Sequence, residues 1–331
     1  MSKQTGVAMQ QRILGKTGFS VSTVTLGGGG IGMVWGATTE EECLETVKQA
    51  VASGINIIDL APMYGKGKAE EVVGIAWPHL SAKPLLATKV FIRPRERSDL
   101  PGAVRRSLEG SLTRLGLERI DVFQLHNQIE PHEPVSPHRL TLQEVVGAGG
   151  VLETMQQLKE EGLVREIGFT GIARHDVVRE LFGDGRLATV QVVTNLLNSE
   201  GEMGVEGDGP YRDHLEMVRL AQAAQFGVFG IRPFAAGSLT AAIDRSLPKD
   251  HPVVTDFAFT QQHLGFLTAE TSSSLAVVAM RYALSLPGVS TVVTGAKNRA
   301  ELADAIAAAQ AGPLPPDLLE RLATLQQTRS Q

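Results

Sequence analysis

Short apolar runs alternate with longer amphipathic segments along most of the chain. The runs are five to seven residues long and show little polar alternation, as expected for strands that are covered on both faces. We predict eight strands from them. They are Val21–Leu26, Ile55–Leu60, Leu85–Val90, Ile120–His126, Glu166–Thr170, Val190–Thr194, Gly227–Ile231 and Val289–Thr294.

Each predicted strand is followed by a segment with helical character. Thr38 or Thr39 is expected to cap the first helix, because three glutamates follow at its positive end, and Gly54 ends it. The eight predicted helices cover 39–51, 68–77, 101–115, 151–161, 173–182, 213–225, 272–286 and 299–310. A short hairpin that turns around Lys16–Gly18 precedes the pattern, and a tail helix over 316–327 follows it.

Two connections are much longer than the rest. We predict loops over 127–150, with a helical turn near 142–146, and over 233–270. Loops of this length in a compact domain usually carry function.

Eight alternating strand–helix units indicate a parallel sheet, and this number in this length indicates a closed (β/α)8 barrel, the TIM barrel. The predicted fold class is therefore α/β, with an N-terminal β-hairpin and a C-terminal tail helix. No linker divides the chain, so residues 1–331 are expected to form one domain, with residues 1–11 as a flexible N-terminus.

Composition excludes several classes of protein. The net charge is −5, so no basic surface suggests nucleic acid, and no apolar run is long enough to span a membrane. Cys43 is the only cysteine, which rules out a disulfide framework and favours a reducing compartment. The polar N-terminus lacks the apolar core of a signal peptide, so we expect a cytoplasmic protein.

Polar residues end three consecutive predicted strands. Asp59, Lys89 and His126 stand at these ends, and Tyr64 follows Asp59 in a Pro/Gly loop. If the strands are parallel, all four side chains converge at one mouth. A phenol is a weak acid at neutral pH, and a nearby ammonium lowers its pKa. We therefore expect Lys89 to activate Tyr64 as a proton donor, and His126 to orient a substrate carbonyl.

Two other sites are disfavoured by spacing. Gly27, Gly29 and Gly32 match the G-x-G-x-x-G dinucleotide fingerprint, but Asp59 lies too far downstream and four residues intervene before the helix cap. Close approach of this backbone to a ligand is the preferred interpretation. No pair of histidines has metalloprotease spacing, and no metal is expected.

The chain resembles the aldo-keto reductase family over nearly its whole length, and bacterial aldo/keto reductases in particular. The motifs, in order, are Asp59-x4-Tyr64, Thr88-Lys89, Asp121-x4-His126, Ile167–Thr170, Val190-Gln191 and Gly295-Ala296-Lys297.

This resemblance implies a nicotinamide cofactor across the C-terminal mouth of the barrel. It implies that the catalytic residues are Asp59, Tyr64, Lys89 and His126. The implied cofactor-binding residues are Gly27, Gly28, Asp59, Thr170, Gly171, Gln191, Ile231, Arg232, Pro233, Phe234, Ala235, Gly237, Leu239, Gly295, Lys297 and Glu301.

Substrate contacts are expected from Trp35, Tyr64, His126 and Asn127, and further candidates are Met63, Arg93, Tyr211 and Phe257. The implied function is NAD(P)H-dependent reduction of aldehydes and ketones, with Tyr64 as general acid. An NAD-dependent sugar or alcohol dehydrogenase of the same fold is the alternative within this class. A cofactor-binding, redox-sensing subunit with slow turnover is the alternative from another class.

The cofactor expected is NADP(H), with NAD(H) as the alternative. Lys297 and Arg299 lie where the last predicted strand enters its helix, and a helix N-terminus favours a phosphate. Glu301 opposes a phosphate there. The only partner expected is a small carbonyl compound.

Overall fold

The structure is a computed structural model that describes residues 9–133, 136–203 and 214–330. Its strands are two hairpin strands, eight barrel strands and one short pair. In chain order they are β1 (Gln11–Ile13), β2 (Ser20–Ser22), β3 (Val24–Gly27), β4 (Ile57–Asp59), β5 (Leu85–Val90), β6 (Ile120–Leu125), β7 (Ile129–Glu130), β8 (Leu140–Thr141), β9 (Val164–Thr170), β10 (Thr189–Val193), β11 (Gly227–Ile231) and β12 (Thr291–Thr294).

The predicted parallel barrel is confirmed. The eight strands β3, β4, β5, β6, β9, β10, β11 and β12 form a closed ring in that order, and all their pairings are parallel. The ring closes where Val292 of β12 lies opposite Val24 of β3. The C-terminal ends of all eight strands therefore meet at one mouth.

Helices surround the ring. They are α1 (Gly28–Ile31), α2 (Glu40–Ala52), α3 (Lys68–Ala76), α4 (Leu100–Leu115), α5 (Leu142–Val146), α6 (Val151–Glu160), α7 (His175–Phe182), α8 (His214–Ala223), α9 (Pro252–His263), α10 (Phe266–Thr271), α11 (Leu275–Ser285), α12 (Arg299–Ala311) and α13 (Pro316–Ser330). All eight predicted barrel helices and the tail helix are present within a few residues of their predicted ends. Thr39 caps α2 by accepting from the amide of Glu42, as the glutamate pattern indicated.

Three predictions need correction. The segment 233–270 is not one loop, because α9 and α10 lie within it. The α9 sequence mixes apolar and polar residues on every face, so its periodicity gave no signal. Val21 belongs to the hairpin rather than the barrel, since it pairs with Arg12. Within the predicted flexible segment 1–11, residues 1–8 lie outside the described ranges, and Gln11 begins β1.

The hairpin covers the N-terminal end of the barrel. Leu14 and Val21 are fully buried in one apolar cluster with residues from inside the barrel, namely Ile57, Ala87, Val122 and Phe229. Arg12 anchors the hairpin by donating from Nη1 to the carbonyl of Val289 at 2.7 Å and from Nη2 to that of Leu284 at 2.9 Å. This end is therefore closed, and only the C-terminal mouth is left open for a ligand.

The strand period of two decides which side chains reach that mouth. In β5, Ala87 points into the barrel and joins the cluster near the hairpin, so Lys89 points inward one layer above it. Thr88 points outward instead and donates to Glu70 of α3 at 2.6 Å. Asp59 is inward on β4 by the same rule, two residues after Ile57.

Among the described residues, no helix is long and apolar enough to cross a membrane. Within those same ranges, no group of His, Cys, Asp and Glu side chains has the arrangement of a metal site.

Candidate active site

Lys89 forms the floor of the mouth. Its side chain has no exposed surface, and its ammonium donates to Asp59 Oδ2 at 2.7 Å, to the carbonyl of Leu60 at 2.8 Å and to the Tyr64 hydroxyl at 3.2 Å. An ammonium has three N–H donors, so these three oxygens satisfy it completely. Burial, the largest effect, lowers the pKa of Lys89, but the charges and hydrogen bonds of Asp59 and Tyr64 together outweigh it and raise that pKa.

Asp59 is held by two donors. Its Oδ2 accepts from Lys89, and its Oδ1 accepts from Gln191 Nε2 of β10 at 2.7 Å. Burial raises the pKa of Asp59, while Lys89 and Gln191 act in the opposite direction. Because both oxygens accept from nitrogen donors, the group is a carboxylate paired with Lys89.

Tyr64 follows β4 on a tight turn whose next three residues, Gly65, Lys66 and Gly67, have left-handed φ angles of 62°, 57° and 96°. The turn brings the phenol over Lys89, whose ammonium lies 4.8 Å from the ring centroid. Lys89 acts to lower the phenol pKa, as expected, but it does not decide the net direction of the shift. Burial raises the pKa of Tyr64, and Asp59 adds to the increase, so the attraction of Lys89 is outweighed.

A buried ion pair supports this turn from outside the barrel. Glu70 has no exposed surface and accepts from Arg114 Nε of α4 at 2.7 Å and from Thr88 Oγ1. The Arg114 side chain lies against Gly67, where a β-carbon would come within 2.7 Å of it. The network therefore joins the turn that carries Tyr64 to the strand that carries Lys89.

His126 lies beside Tyr64 at the end of β6. The two rings meet edge to face, with centroids 5.9 Å apart, and Phe91 contacts the other side of the imidazole at 6.3 Å. Burial and the nearby Lys89 charge lower the pKa of His126 to about 3. The imidazole is therefore neutral at physiological pH. Its Nδ1 is buried and has no hydrogen-bond partner within the described ranges.

A cavity of about 1290 Å³ opens above these residues. Asp59, Tyr64 and His126 line it, and Lys89 lies beneath. The expected cofactor residues that line it are Gly27, Gly28, Asp59, Thr170, Gln191, Ile231, Arg232, Pro233, Phe234, Gly237, Gly295, Lys297 and Glu301.

Three expected cofactor residues do not line the cavity. Gly171 donates its amide to the carbonyl of Gln191, and Ala235 and Leu239 are buried behind the lining residues. Ala235 nevertheless belongs to a turn with unusual backbone. Arg232 and Ala236, which flank it, both have φ angles of 56° and both line the cavity. Left-handed non-glycine residues of this kind cluster at ligand sites.

Trp35 lines the cavity as expected, but Asn127 does not. Asn127 is fully buried. Its Oδ1 accepts from the amide of Ile92, and its Nδ2 donates to the carbonyls of Ile92 and His138. These bonds join two loops and leave the amide no capacity for a substrate. Met63, Arg93 and Phe257 also lie outside the lining, and Tyr211 is outside the described ranges.

The glycine run begins with one helical turn, α1, directly after β3. The indole of Trp35 covers two glycine backbones, so that a β-carbon on Gly29 would meet it at 2.3 Å and one on Gly295 at 2.2 Å. A tryptophan of the same chain makes the close contact with these glycines, so close approach of a ligand to this backbone stays a prediction. The closed barrel removes the dinucleotide-fingerprint alternative, which requires an open sheet.

The charges at the far end of the cavity are already paired. Lys297 forms ion pairs with Glu301 and, at 3.7 Å, with Asp244. Arg299 is directed away from the cavity and pairs with Glu42 of α2, with Nε at 3.1 Å and Nη2 at 2.9 Å from its oxygens. Of the two predicted cations, Lys297 lines the cavity and Arg299 does not, whereas Arg245, which pairs with Asp244 at 3.3 Å, lines it as well.

Several residues that line the cavity were not predicted from the sequence. Phe91 could have been, because it stands two residues after Lys89 and so lies on the same face of the strand. Gln128, His138 and Arg139 come from the connection between β6 and β9, and Met203 from the one after β10. Irregular connections have no periodicity from which the direction of a side chain can be inferred.

The model of the Aldo/keto reductase family matches residues 23–327. L-galactose dehydrogenase of Arabidopsis thaliana is 27% identical over 304 residues, which cover 91% of this chain and 88% of the relative. The NADH-specific methylglyoxal reductase of Escherichia coli is 28% identical over 255 residues, covering 72% and 71%.

A solved structure gives the same fold. The aldo-keto reductase from Klebsiella pneumoniae in complex with NADPH superimposes with a TM-score of 0.70 at 22% sequence identity, covering 97% of this chain and 96% of that one.

Proposed function

This chain belongs to the aldo/keto reductase family, and we propose that it is an NAD(P)H-dependent reductase of aldehydes and ketones, with Tyr64 as general acid. The observation that carries the proposal is the ammonium of Lys89, held between the Asp59 carboxylate and the Tyr64 hydroxyl under an open cavity. Burying a lysine is costly, and such a pair at the mouth of a barrel is typical of proton transfer.

A nicotinamide cofactor fits the residues that line the cavity. The hydroxyl of Thr170 is buried and has no partner in the described part of the chain, so it is available to a carboxamide. Gln191 donates one amide hydrogen to Asp59, and its second amide hydrogen is available to the cofactor. Ile231 to Gly237 would hold the diphosphate, and Lys297 with Glu301 the adenosine. When bound, the reduced nicotinamide supplies a hydride to the carbonyl carbon.

Tyr64 supplies the proton that completes the reduction. As the carbonyl carbon gains two electrons and a hydrogen, negative charge develops on the oxygen, and the phenol transfers its proton there. An alkoxide is a far stronger base than a phenolate, so a phenol with a raised pKa is still a sufficient acid. The ammonium of Lys89 stabilises the phenolate that remains.

Asp59 and His126 have supporting roles in this scheme. Asp59 offsets the charge of Lys89 and fixes the direction of its ammonium between the reacting groups. The neutral imidazole of His126 has one N–H, which donates to the carbonyl oxygen and orients it towards Tyr64. No change in the protonation of His126 is required during the reaction.

NADP(H) is the proposed cofactor, and Lys297 is the residue that would meet its 2′-phosphate. The paired state of the cations favours a second candidate, an NAD-dependent dehydrogenase of sugars or alcohols. Lys297 already forms an ion pair with Glu301, and Arg299 forms one with Glu42, so a phosphate must compete with these carboxylates. The relatives include a protein named as a sugar dehydrogenase and one named as an NADH-specific reductase, whereas a solved structure of the same fold holds NADPH.

The test is a steady-state assay of the wild type and Tyr64→Phe with a panel of aldehydes, ketones and sugars, and with both cofactors. We expect reduction of aldehydes by the wild type and loss of at least about a hundredfold in turnover in the variant. Cofactor affinity, measured by quenching of fluorescence, should stay within a few-fold, because the phenol serves the substrate oxygen.

Three outcomes would change the proposal. Near-normal turnover in Tyr64→Phe removes this residue from the mechanism. Oxidation of sugars with NAD that exceeds all reductions favours the dehydrogenase. Tight cofactor binding without turnover of any compound favours a redox-sensing subunit.

A further inference from the structure

The cavity has a polar wall on the side of His126. Gln128, His138 and Arg139 line it there, and all three belong to the connection between β6 and β9. Gln128 Nε2 donates to the carbonyl of Met203, in the connection after β10, at 2.8 Å. The protein therefore holds the Gln128 side chain, and Arg139 is the charged residue of this wall.

Short strands fix the position of this wall. The amide of Leu140 donates to the carbonyl of Gln128 at 3.0 Å, and Ile129 pairs with Leu140 in β7 and β8. Arg139 consequently lies beside Gln128, one strand spacing or about 5 Å away. Gln128 is two residues after His126, roughly 7 Å along an extended chain. A long Arg139 side chain thus acts within reach of a compound bound at His126.

The guanidinium of Arg139 is only partly engaged. Its Nη1 donates to Glu130, and this ion pair is almost inaccessible to solvent, with 12% and 8% of the two side chains exposed. Arginine has five N–H donors. Within the described residues, Nε and Nη2 of Arg139 have no protein partner, whereas Arg97, which precedes α4, is bidentate to Glu144 of the same connection.

We propose that Arg139 binds a carboxylate of the substrate, so that the reductase acts on oxo acids, in which a carbonyl and a carboxylate are joined by a short spacer. Glu130 does not line the cavity, so it offsets the cost of burying the arginine from behind and leaves the donors on the cavity side. Arginine recognises carboxylates with pairs of parallel N–H donors, and unpaired donors in a shielded cavity suit that geometry.

The other walls indicate the spacer. Phe91, Ile172 and Met203 are apolar and line the cavity around His126. They would contact carbon rather than hydroxyl groups between the carbonyl and the carboxylate. An aliphatic or aromatic spacer therefore fits better than the polyol chain of a sugar acid. This inference rests on the proposed reductase function and adds its substrate class.

The experiment compares substrates that differ only in charge. The probes are para-carboxybenzaldehyde and its uncharged carboxamide, together with ω-oxo acids of increasing chain length and their methyl esters. Steady-state constants are measured with NADPH for the wild type, Arg139→Met, Arg139→Lys and Glu130→Gln. Arg97→Met is the matched control, since it removes an arginine from a carboxylate pair that does not line the cavity.

We expect the wild type to prefer the acids over their neutral analogues by at least about tenfold in kcat/KM, which is the ratio expected for a charge-assisted hydrogen bond. Arg139→Met should bring the ratio of kcat/KM for the acids to kcat/KM for their neutral analogues down to about one, mainly by raising KM for the acids. Arg139→Lys should keep part of it, and Glu130→Gln should keep or increase it. Arg97→Met should preserve it.

Two results would overturn the inference. One is a wild type that does not distinguish acids from their amides or esters while it reduces both. The other is an Arg139→Met variant that loses both kinds of substrate equally, which would make the arginine a structural partner of Glu130. If Arg139→Met does not fold, calorimetric titration of benzoate and benzamide into the wild type and Glu130→Gln, each with NADPH, decides it. Equal binding of benzoate and benzamide rejects the carboxylate site.

The kinetic and calorimetric measurements together separate the reductase proposal from the oxo-acid proposal. Reduction of neutral aldehydes without any preference for acids leaves the reductase in place and removes the oxo-acid inference. Binding of benzoate without turnover of any carbonyl compound rejects the reductase instead.

Discussion

Lys89 keeps its charge inside the barrel because three oxygens surround it, and one of these belongs to the only carboxylate in contact with it. Lys89→Met would leave Asp59 buried without its cation. Breaking a buried pair from one side costs about 3–5 kcal/mol. We expect a loss of this size in the free energy of unfolding by urea, and a fall in turnover of about 10²–10⁴.

A double variant separates the two losses. Lys89→Met with Asp59→Asn removes both charges, so most of the stability should return while turnover stays low. Recovery of turnover in the double variant would contradict the role assigned to Lys89, because the phenolate of Tyr64 would then need no cation.

His126 makes the stability of the protein sensitive to acid. The pKa of its imidazole is about 3 in the folded protein and near 6.5 in an unfolded chain. Between these values the unfolded chain binds a proton that the native protein does not, so stability falls as the pH drops through 6.5. From pH 7 to pH 5 this amounts to at most about 2 kcal/mol.

His126→Gln removes that contribution. We expect its unfolding free energy to fall less between pH 7 and pH 5 than that of the wild type, with other acid-sensitive groups common to both. Equal pH dependence would mean that the folded protein protonates His126 readily. Its neutral role in orienting a carbonyl would then fail at mildly acidic pH.

At the scale of elements, α2 and α12 are tied together in a way that bears on cofactor choice. Glu42 of α2 accepts from the backbone amide, Nε and Nη2 of Arg299, at the first position of α12. The tie holds Arg299 outside the cavity, where Lys297 and Arg245 remain, and Lys297 is the cation expected to meet a 2′-phosphate. We expect NADPH to bind about tenfold, or about 1.4 kcal/mol, more tightly than NADH. Lys297→Ala should erase most of this difference, and Glu301→Arg should increase it.

Glu42→Gln provides the matched control outside the cavity. The substitution breaks the ion pair of Arg299, whose positive charge can then attract the 2′-phosphate. Because this charge is half exposed, NADPH affinity should rise by only about threefold, and NADH affinity should not change. Fluorescence titration of both cofactors measures these differences. Tighter binding of NADH to the wild type would give Glu301 control of the preference.

Some elements and site residues could be predicted from the sequence, and others could not. The limits of β5 and β11 follow directly from apolar runs, and the Thr39 cap follows from a hydroxyl before three glutamates. The convergence of Asp59, Lys89 and His126 required only that their strands be parallel. In contrast, α9 has no clear apolar face, and β7 and β8 are only two residues long, too short to show a strand pattern. The net rise in the pKa of Tyr64 likewise depends on how deeply the phenol itself is buried, which the sequence does not show.

At the scale of the whole molecule, stability and chemistry occupy opposite ends of the barrel. The hairpin seals one end, and the candidate active site occupies the other. Arg12→Ala should therefore lower the free energy of unfolding by about 1–3 kcal/mol, because two charged hydrogen bonds to carbonyls are lost. The values of kcat/KM should stay within about twofold of the wild type. A selective loss of kcat/KM with unchanged stability would contradict this division.

The pairing of β12 with β3 has a consequence for synthesis on the ribosome. One edge of β3, the first barrel strand, stays unpaired until β12 has been synthesised, because β12 is its neighbour on that side. Until then β3 and β11 have bare edges that can join other nascent chains. Contacts so far apart in sequence also form slowly. A chain that ends before Thr291 lacks β12, so its sheet stays open and is prone to aggregate. The barrel can close only after this last strand has been synthesised.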